Sequence, residues 1–218
     1  EAPCPRSIWI HNDMAREVHL KGNMNPYLLK EAYHTYDHIV PVSEDLIQPV
    51  VSEFGADRSR ITVIHNCHDY QSVLERSLAP VAFNEDTLSN VSLETLQSVL
   101  DSDAPKFISI GRFSPEKGHK RLLDAFEQYW KEHPDTWLII IGGVGNLYDE
   151  TLAHTRALRA SDHIILIRAV TNPMPILKRC DLFLLSSYYE GQGIVLMEAA
   201  TLLSLIHISE PTRPISIS

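Results

Sequence analysis

The 218-residue sequence is short of cysteine, of basic charge and of long apolar runs. Its three cysteines, Cys4, Cys67 and Cys180, are scattered, odd in number and without C-x-x-C spacing. That argues against a disulfide framework and fits a reducing compartment, so the expected location is cytoplasmic. Lys and Arg number 19 against 28 Asp and Glu, and the net charge of −9 leaves no general basic field for nucleic acid. The longest apolar runs, such as Trp137 to Ile141, are far shorter than a membrane span. No signal-peptide pattern is visible. G-x-S-x-G and H-E-x-x-H do not occur, and no G-K-[ST] follows a glycine at P-loop spacing.

What remains is a chain of ordinary globular composition, 44% hydrophobic and 22% charged. It alternates between strand and helix patterns. Ile8 to Ile10 reads as a strand, Asn25 to Thr35 as a helix entered at Pro26, and Asp37 to Ser43 as a strand ending on a Ser N-cap. A helix from Ser43 to Phe54 is expected to break or end near Pro49, and Ile61 to Ile64 to form a third strand. Residues 71–104 are polar and read as a connector with one helical pattern, Leu93, Leu96, Val99 and Leu100. A second alternation follows: strands at 106–110, 137–141, 164–167 and 182–185, and helices at 118–132, 148–159, 175–179 and 193–202. This rhythm predicts an α/β fold with Rossmann-like parallel sheets.

Two stretches carry the chemistry. Gly111-Arg-Phe-Ser-Pro-Glu-Lys-Gly118 places Arg112 and Lys117 just after the strand at 106–110, where open α/β sheets bind ligands. A planar guanidinium and a mobile ammonium suit a diphosphate, although most such side chains are merely solvated. Glu190-Gly-Gln-Gly-Ile-Val-Leu-Met-Glu198 sets two carboxylates astride Gly191 and Gly193, at the start of a helix whose backbone N–H groups face an anion readily. Glu198 lies among apolar neighbours and needs a partner, which ribose hydroxyls would supply. Gly142-Gly-Val-Gly145 is a turn open to a phosphate or sugar, or simply a tight turn. His65-Asn-Cys-His68 matches no zinc spacing, and Asp101-Ser-Asp103 reads as a loop or cap.

These segments, with Cys180-Asp-Leu-Phe-Leu-Leu-Ser-Ser187, resemble the retaining glycosyltransferases of family 4, which have the GT-B fold. Ile8-Trp-Ile-His-Asn12, Val40-Pro-Val-Ser43 and Val63-Ile-His-Asn66 look like the end of the N-terminal domain and the entry to the C-terminal one. Asn172 to Phe183 looks closest to enzymes that glycosylate poly(glycerol phosphate) or related cell-envelope polymers. The resemblance implies roles. Arg112 and Lys117 would hold the donor diphosphate, and Glu198 the ribose. Glu190 would contact the sugar near its reacting carbon, and His11 would reach the sugar from the other domain. Gly143 would lie close to the donor. Gly191, Gln192 and Gly193 would offer backbone donors. No metal and no cofactor are implied. The donor would be a nucleotide sugar, UDP-linked, and the acceptor a glycan, a polyol phosphate or a lipid-linked hydroxyl, with peripheral membrane association of the whole protein. His65 and Cys67 depart from the family's usual Pro and Gly around Asn66.

The first residue is Glu1, and a strand pattern follows almost at once. The expected layout is therefore a piece of a longer protein. Residues 1–70 would be the end of an N-terminal domain that is largely missing, 71–104 the connector, and 105–203 a truncated C-terminal domain. Residues 204–218 would be a non-native tail resembling translated adaptor sequence and lacking a strand. Transfer by this piece alone is not expected. The rival readings are a non-catalytic GT-B subunit serving as a partner-binding or chaperone module, and an NAD-binding Rossmann domain. The first would be expected to lose its cations or acids; the second needs a full glycine fingerprint that is absent here.

Overall fold

The computed structural model describes residues 4–21, 25–143, 145–202 and 206–208. The chain divides into two compact units. One comprises Glu1–Cys67 with Tyr189–Ile194, the other His68–Tyr188 with Val195–Ser218.

In the first unit, β1 (Ser7–Ile10) pairs in parallel with β2 (His38–Pro41). Between them run α1 (Met14–Lys21) and α2 (Pro26–Thr35). Helix α1 was not anticipated, yet Asp13 begins it by accepting from the N–H groups of Ala15 and Arg16, both at 3.1 Å. Asn25 caps α2 through Tyr27 N–H at 2.9 Å. The expected Ser43 cap is not made: its buried hydroxyl has no partner. A 3₁₀ turn at Glu44–Leu46 leads instead into α3 (Ile47–Phe54). Pro49 does not break this helix because it falls in the first turn, where a backbone N–H has no intrahelical acceptor anyway. The strand expected at 61–64 narrows to one bridge, Ile39 to Ile61, with Thr62 and Ile64 donating to β2 carbonyls at 3.0 and 3.1 Å. Ile10, Ile39, Val42, Val50 and Phe54 form the core of this unit.

The second unit holds α4 (Tyr70–Arg76), β3 (Leu88–Ser89), α5 (Leu93–Asp101), β4 (Lys106–Ile110), α6 (His119–Trp130), β5 (Trp137–Gly142), α7 (Tyr148–Arg156), β6 (Ile164–Arg168), α8 (Met174–Leu177), β7 (Leu182–Leu185), α9 (Ile194–Leu202) and β8 (Ile206–Ile208). Its sheet runs β3-β6-β5-β4-β7-β8. All pairings are parallel except that of β3 with β6. The chain thus winds outward from β4 through β5 to β6, then returns to place β7 on the other side of β4. Fully buried Leu138 to Ile140 and Ile164 to Ile167 read as continuous apolar runs because helices cover both faces. Residues 71–104 fold into this unit, and Val73, Leu96, Val99 and Leu100 enter its core. Ile206–Ile208, in the stretch read as lacking a strand, pair with β7.

The β4–β5 ladder continues to Ile110↔Ile141, whereas β4 and β7 pair only at Phe107↔Leu182 and Ile108↔Phe183. The two strands on which the winding reverses therefore part before their carboxyl ends, and their loops are tied by other means. Gly118 sits at φ +64°, and any side chain there would strike the Ser186 carbonyl oxygen. Gly118→Ala should accordingly lower stability by about 2 kcal/mol or more, from left-handed strain and steric conflict together. Urea unfolding measures it; a loss below about 0.5 kcal/mol would contradict this account of the loop pair.

His119 follows, buried edge-on against Phe113 with ring centroids 5.1 Å apart. Burial lowers its pKa from 6.5 to about 4; the Lys117 charge adds to this and Glu116 opposes it. Between those values the unfolded chain binds the extra proton, so stability should fall as pH drops through that window, by about 3 kcal/mol at most. His119→Gln should flatten this slope when urea midpoints are compared at about pH 7 and about pH 4.5.

Candidate functional site

The crevice of a doubly wound sheet lies outside the carboxyl ends of the strands where the winding reverses, here β4 and β7. Gly111–Gly118 leaves β4 and Ser186–Tyr188 leaves β7. Arg121 donates to the Ser186 carbonyl at 2.6 Å, Ser186 Oγ to the Lys117 carbonyl at 2.8 Å, and Tyr188 N–H to the Glu116 carbonyl at 2.8 Å. The Arg121 guanidinium also lies 4.6 Å from the Tyr188 ring centre. None of these bracing contacts was read from the sequence. They join residues 65 to 72 positions apart, and an arginine in the first turn of a helix carries no local signal.

The two expected cations stand on this braced loop. Arg112 donates to Glu116 Oε1 at 2.9 Å; the Glu116 side chain is 4% exposed, while that of Arg112 is 53% exposed. One edge of the guanidinium is thereby fixed and the rest of its fork remains open. The Lys117 stem passes across Gly111, within 3.2 Å of where a side chain there would begin. Gly143, on the turn after β5, is exposed with open space on its side-chain side. The next turn, after β6, holds Ala169 at φ 60°, its N–H donating to the Gly142 carbonyl at 2.8 Å. A non-glycine residue in the left-handed region is uncommon and marks a backbone held by its surroundings.

Glu198 has a protein partner that the sequence did not reveal. Arg76, the last residue of α4, donates to its Oε1 at 3.3 Å. A ribose was therefore not needed to account for this carboxylate. His68, just before α4, bonds Thr201 Oγ1 at 2.9 Å, one turn farther along α9. His65 Nδ1 lies 2.9 Å from the Val42 carbonyl. Both histidines of the 65–68 cluster thus have structural roles, and no metal-like group of three ligands occurs among the described residues. Asp101 of the Asp-Ser-Asp sequence is engaged by Gln97 at 3.0 Å and by Arg179.

The remaining expected residues belong to the other unit. His11 follows β1 with its ring stacked on Trp9, centroids 6.2 Å apart. Gly191 packs against the His11 carbonyl so closely that a Cβ would overlap it, which is why a glycine is required there. Gln192 Oε1 accepts from Asn66 N–H and its Nε2 donates to the Asn66 carbonyl at 3.4 Å, so its side chain is committed to the backbone of the 65–68 stretch. Tyr189 Oη donates to buried Glu17 at 3.2 Å. Glu190 follows, partly exposed, and Gly193 turns the chain into α9 at φ 62°. The expected residues thus fall into two groups: Arg112, Lys117, Gly143 and Glu198 in one unit, and His11, Glu190, Gly191, Gln192 and Gly193 in the other.

Similar proteins share this architecture. The chain is 26% identical over 187 residues to N-acetylgalactosamine-N,N'-diacetylbacillosaminyl-diphospho-undecaprenol 4-alpha-N-acetylgalactosaminyltransferase of Campylobacter jejuni, covering 84% of this chain and 45% of that enzyme. Anabaena HepE in complex with UDP and glucose superposes with a TM-score of 0.67 at 16% identity, over 91% of this chain and 51% of that one. A mutant of S. aureus TarM, in complex with fondaparinux, alpha-GlcNAc-glycerol and UDP, gives a TM-score of 0.67 at 18% identity, over 94% and 37%. The chain spans about half the length of the curated relatives it matches. The fold is α/β, of GT-B type. The pattern of the glycosyl transferases group 1 matches residues 94–205, just over half of the sequence, and the chain belongs to that family.

Proposed function

We propose that the chain is the donor-binding part of a retaining family 4 glycosyltransferase. It would move a hexose from a UDP-linked donor to an acceptor hydroxyl of a glycan, polyol phosphate or lipid-linked substrate in cell-envelope polymer synthesis, at the cytoplasmic side of a membrane. The observation that carries this reading is the parting of β4 from β7 with Arg112 and Lys117 on the loop that leaves β4. UDP in HepE and TarM and the undecaprenol-linked substrate in the name of the Campylobacter enzyme support the donor and acceptor classes.

The chemistry follows from charge. As the bond between sugar and diphosphate breaks, negative charge grows on the leaving phosphate. A guanidinium already oriented by Glu116 and the Lys117 ammonium carried on the same loop would stabilise that charge more in the transition state than in the ground state. Residues on this chain would thus do the work of leaving-group stabilisation without a metal. Glu198 would take the ribose and Gly143 would let the donor approach the backbone. His11, Glu190 and the backbone of Gly191, Gln192 and Gly193 keep the sugar-side roles that the family resemblance implies. Retention would follow from front-face attack. A non-catalytic partner-binding subunit is the less favoured reading, because both cations and both acids are present.

Calorimetric titration with UDP should give binding to this chain in the roughly millimolar to high-micromolar range, from a few charge-assisted hydrogen bonds less their ordering cost. Lys117→Ala should weaken it. No heat from UDP or any other nucleoside diphosphate would count against the donor site. In a version extended to the relatives' length, Lys117→Ala should reduce kcat by about 10²–10³ with little change in acceptor KM. The 218-residue chain alone should not transfer sugar, since catalysis also needs the acceptor held against the donor carbon.

A further inference from the structure

We infer that Arg76 is a positioning residue for nucleotide recognition: it holds the Glu198 carboxylate so that one oxygen is presented to the ribose. The inference rests on the ribose-binding role proposed for Glu198.

Arg76 is tethered. Helix α4 is capped by Asp69, which accepts from Ser72 N–H at 3.0 Å, and Val73 anchors it in the core. At its other end the Arg76 carbonyl accepts from Asn172 Nδ2 at 2.8 Å. Asn172 lies in the turn after β6, so the guanidinium starts from the carboxyl edge of the sheet, the side expected to take the ligand. Two side chains bracketing α4 meet one strip of α9: His68 holds Thr201 and Arg76 holds Glu198.

The pair divides the carboxylate. Oε1 takes Arg76, while Oε2 has no partner among the described residues, and the side chain is 18% exposed. Arg76 itself is 44% exposed, and an ion pair that wet adds little to stability. Its consequence is geometric: a flexible glutamate on a short apolar helix is confined to one direction before the ligand arrives, which reduces the ordering cost of binding.

The test compares UDP with 2′,3′-dideoxy-UDP, and uses pyrophosphate as a probe of the phosphate site, by calorimetry on the 218-residue chain. Wild type should prefer UDP over the dideoxy analogue by roughly ten- to a hundredfold, the value of a hydrogen bond to a charged group. Glu198→Ala should abolish that preference. Arg76→Ala should abolish most of it while leaving pyrophosphate affinity unchanged, and Arg76→Lys should restore part. Arg76→Gln gives the same reading if the alanine variant does not fold. If Glu198→Ala removes the preference but the Arg76 variants keep it, the positioning role is wrong and the ribose reading stands. If Glu198→Ala keeps the preference, the ribose reading fails and takes this inference with it. Loss of pyrophosphate binding in every Arg76 variant would show a structural role instead.

Discussion

The loop after β4 depends on the loop after β7. The ladder between these two strands ends at Ile108↔Phe183, and beyond it one backbone bond, Tyr188 N–H to the Glu116 carbonyl, joins the two loops. Ser186 replaces the missing ladder: its carbonyl takes Arg121, its hydroxyl binds the Lys117 carbonyl, and it lies where any side chain at position 118 would be. Arg112 and Lys117 are thereby carried on backbone fixed at both ends. A diphosphate site needs this, because a cation that must be ordered during the reaction stabilises charge less than one already in place.

Much of this was legible because it is written locally. Buried parallel strands announce themselves as apolar runs, as in Leu138 to Ile141, and a Gly-Arg-x₄-Lys-Gly stretch follows one directly. What was not legible depends on separation. The Arg76 and Glu198 partnership spans 122 positions, and Gln192 reaches Asn66 across 126. No periodicity reports either. A carboxylate in an apolar helix, such as Glu198, demands a partner, but nothing local in the sequence says that the partner is Arg76.

Average composition and the position of single residues carry different information. The 71–104 stretch is polar on average, but folding needs only a few buried positions, and Val73, Leu96, Val99 and Leu100 suffice to draw it into the core. Whether Pro49 breaks a helix depends on where the helix starts; three residues of 3₁₀ turn move that start to Ile47 and make the proline harmless. Local charge shows the same difference between average and position. The chain carries a net charge of −9, yet Arg112, Lys117, Arg121 and Arg76 all belong to the unit whose strands part.

The return of Tyr189–Ile194 to the first unit bears on how the chain acquires its structure. That unit is encoded mainly by the first 67 residues, but Gly191 against His11 and Gln192 against Asn66 are formed by residues more than a hundred positions later. Closing such a loop costs entropy that grows slowly with its length, so the equilibrium penalty is modest. The timing is not modest. On a ribosome adding about 5–20 residues each second, the Tyr189–Ile194 piece would follow Cys67 by roughly 6–25 seconds, with the second unit emerging meanwhile. The contacts that Gly191 and Gln192 make in the first unit therefore form only after the His68–Tyr188 stretch has been made.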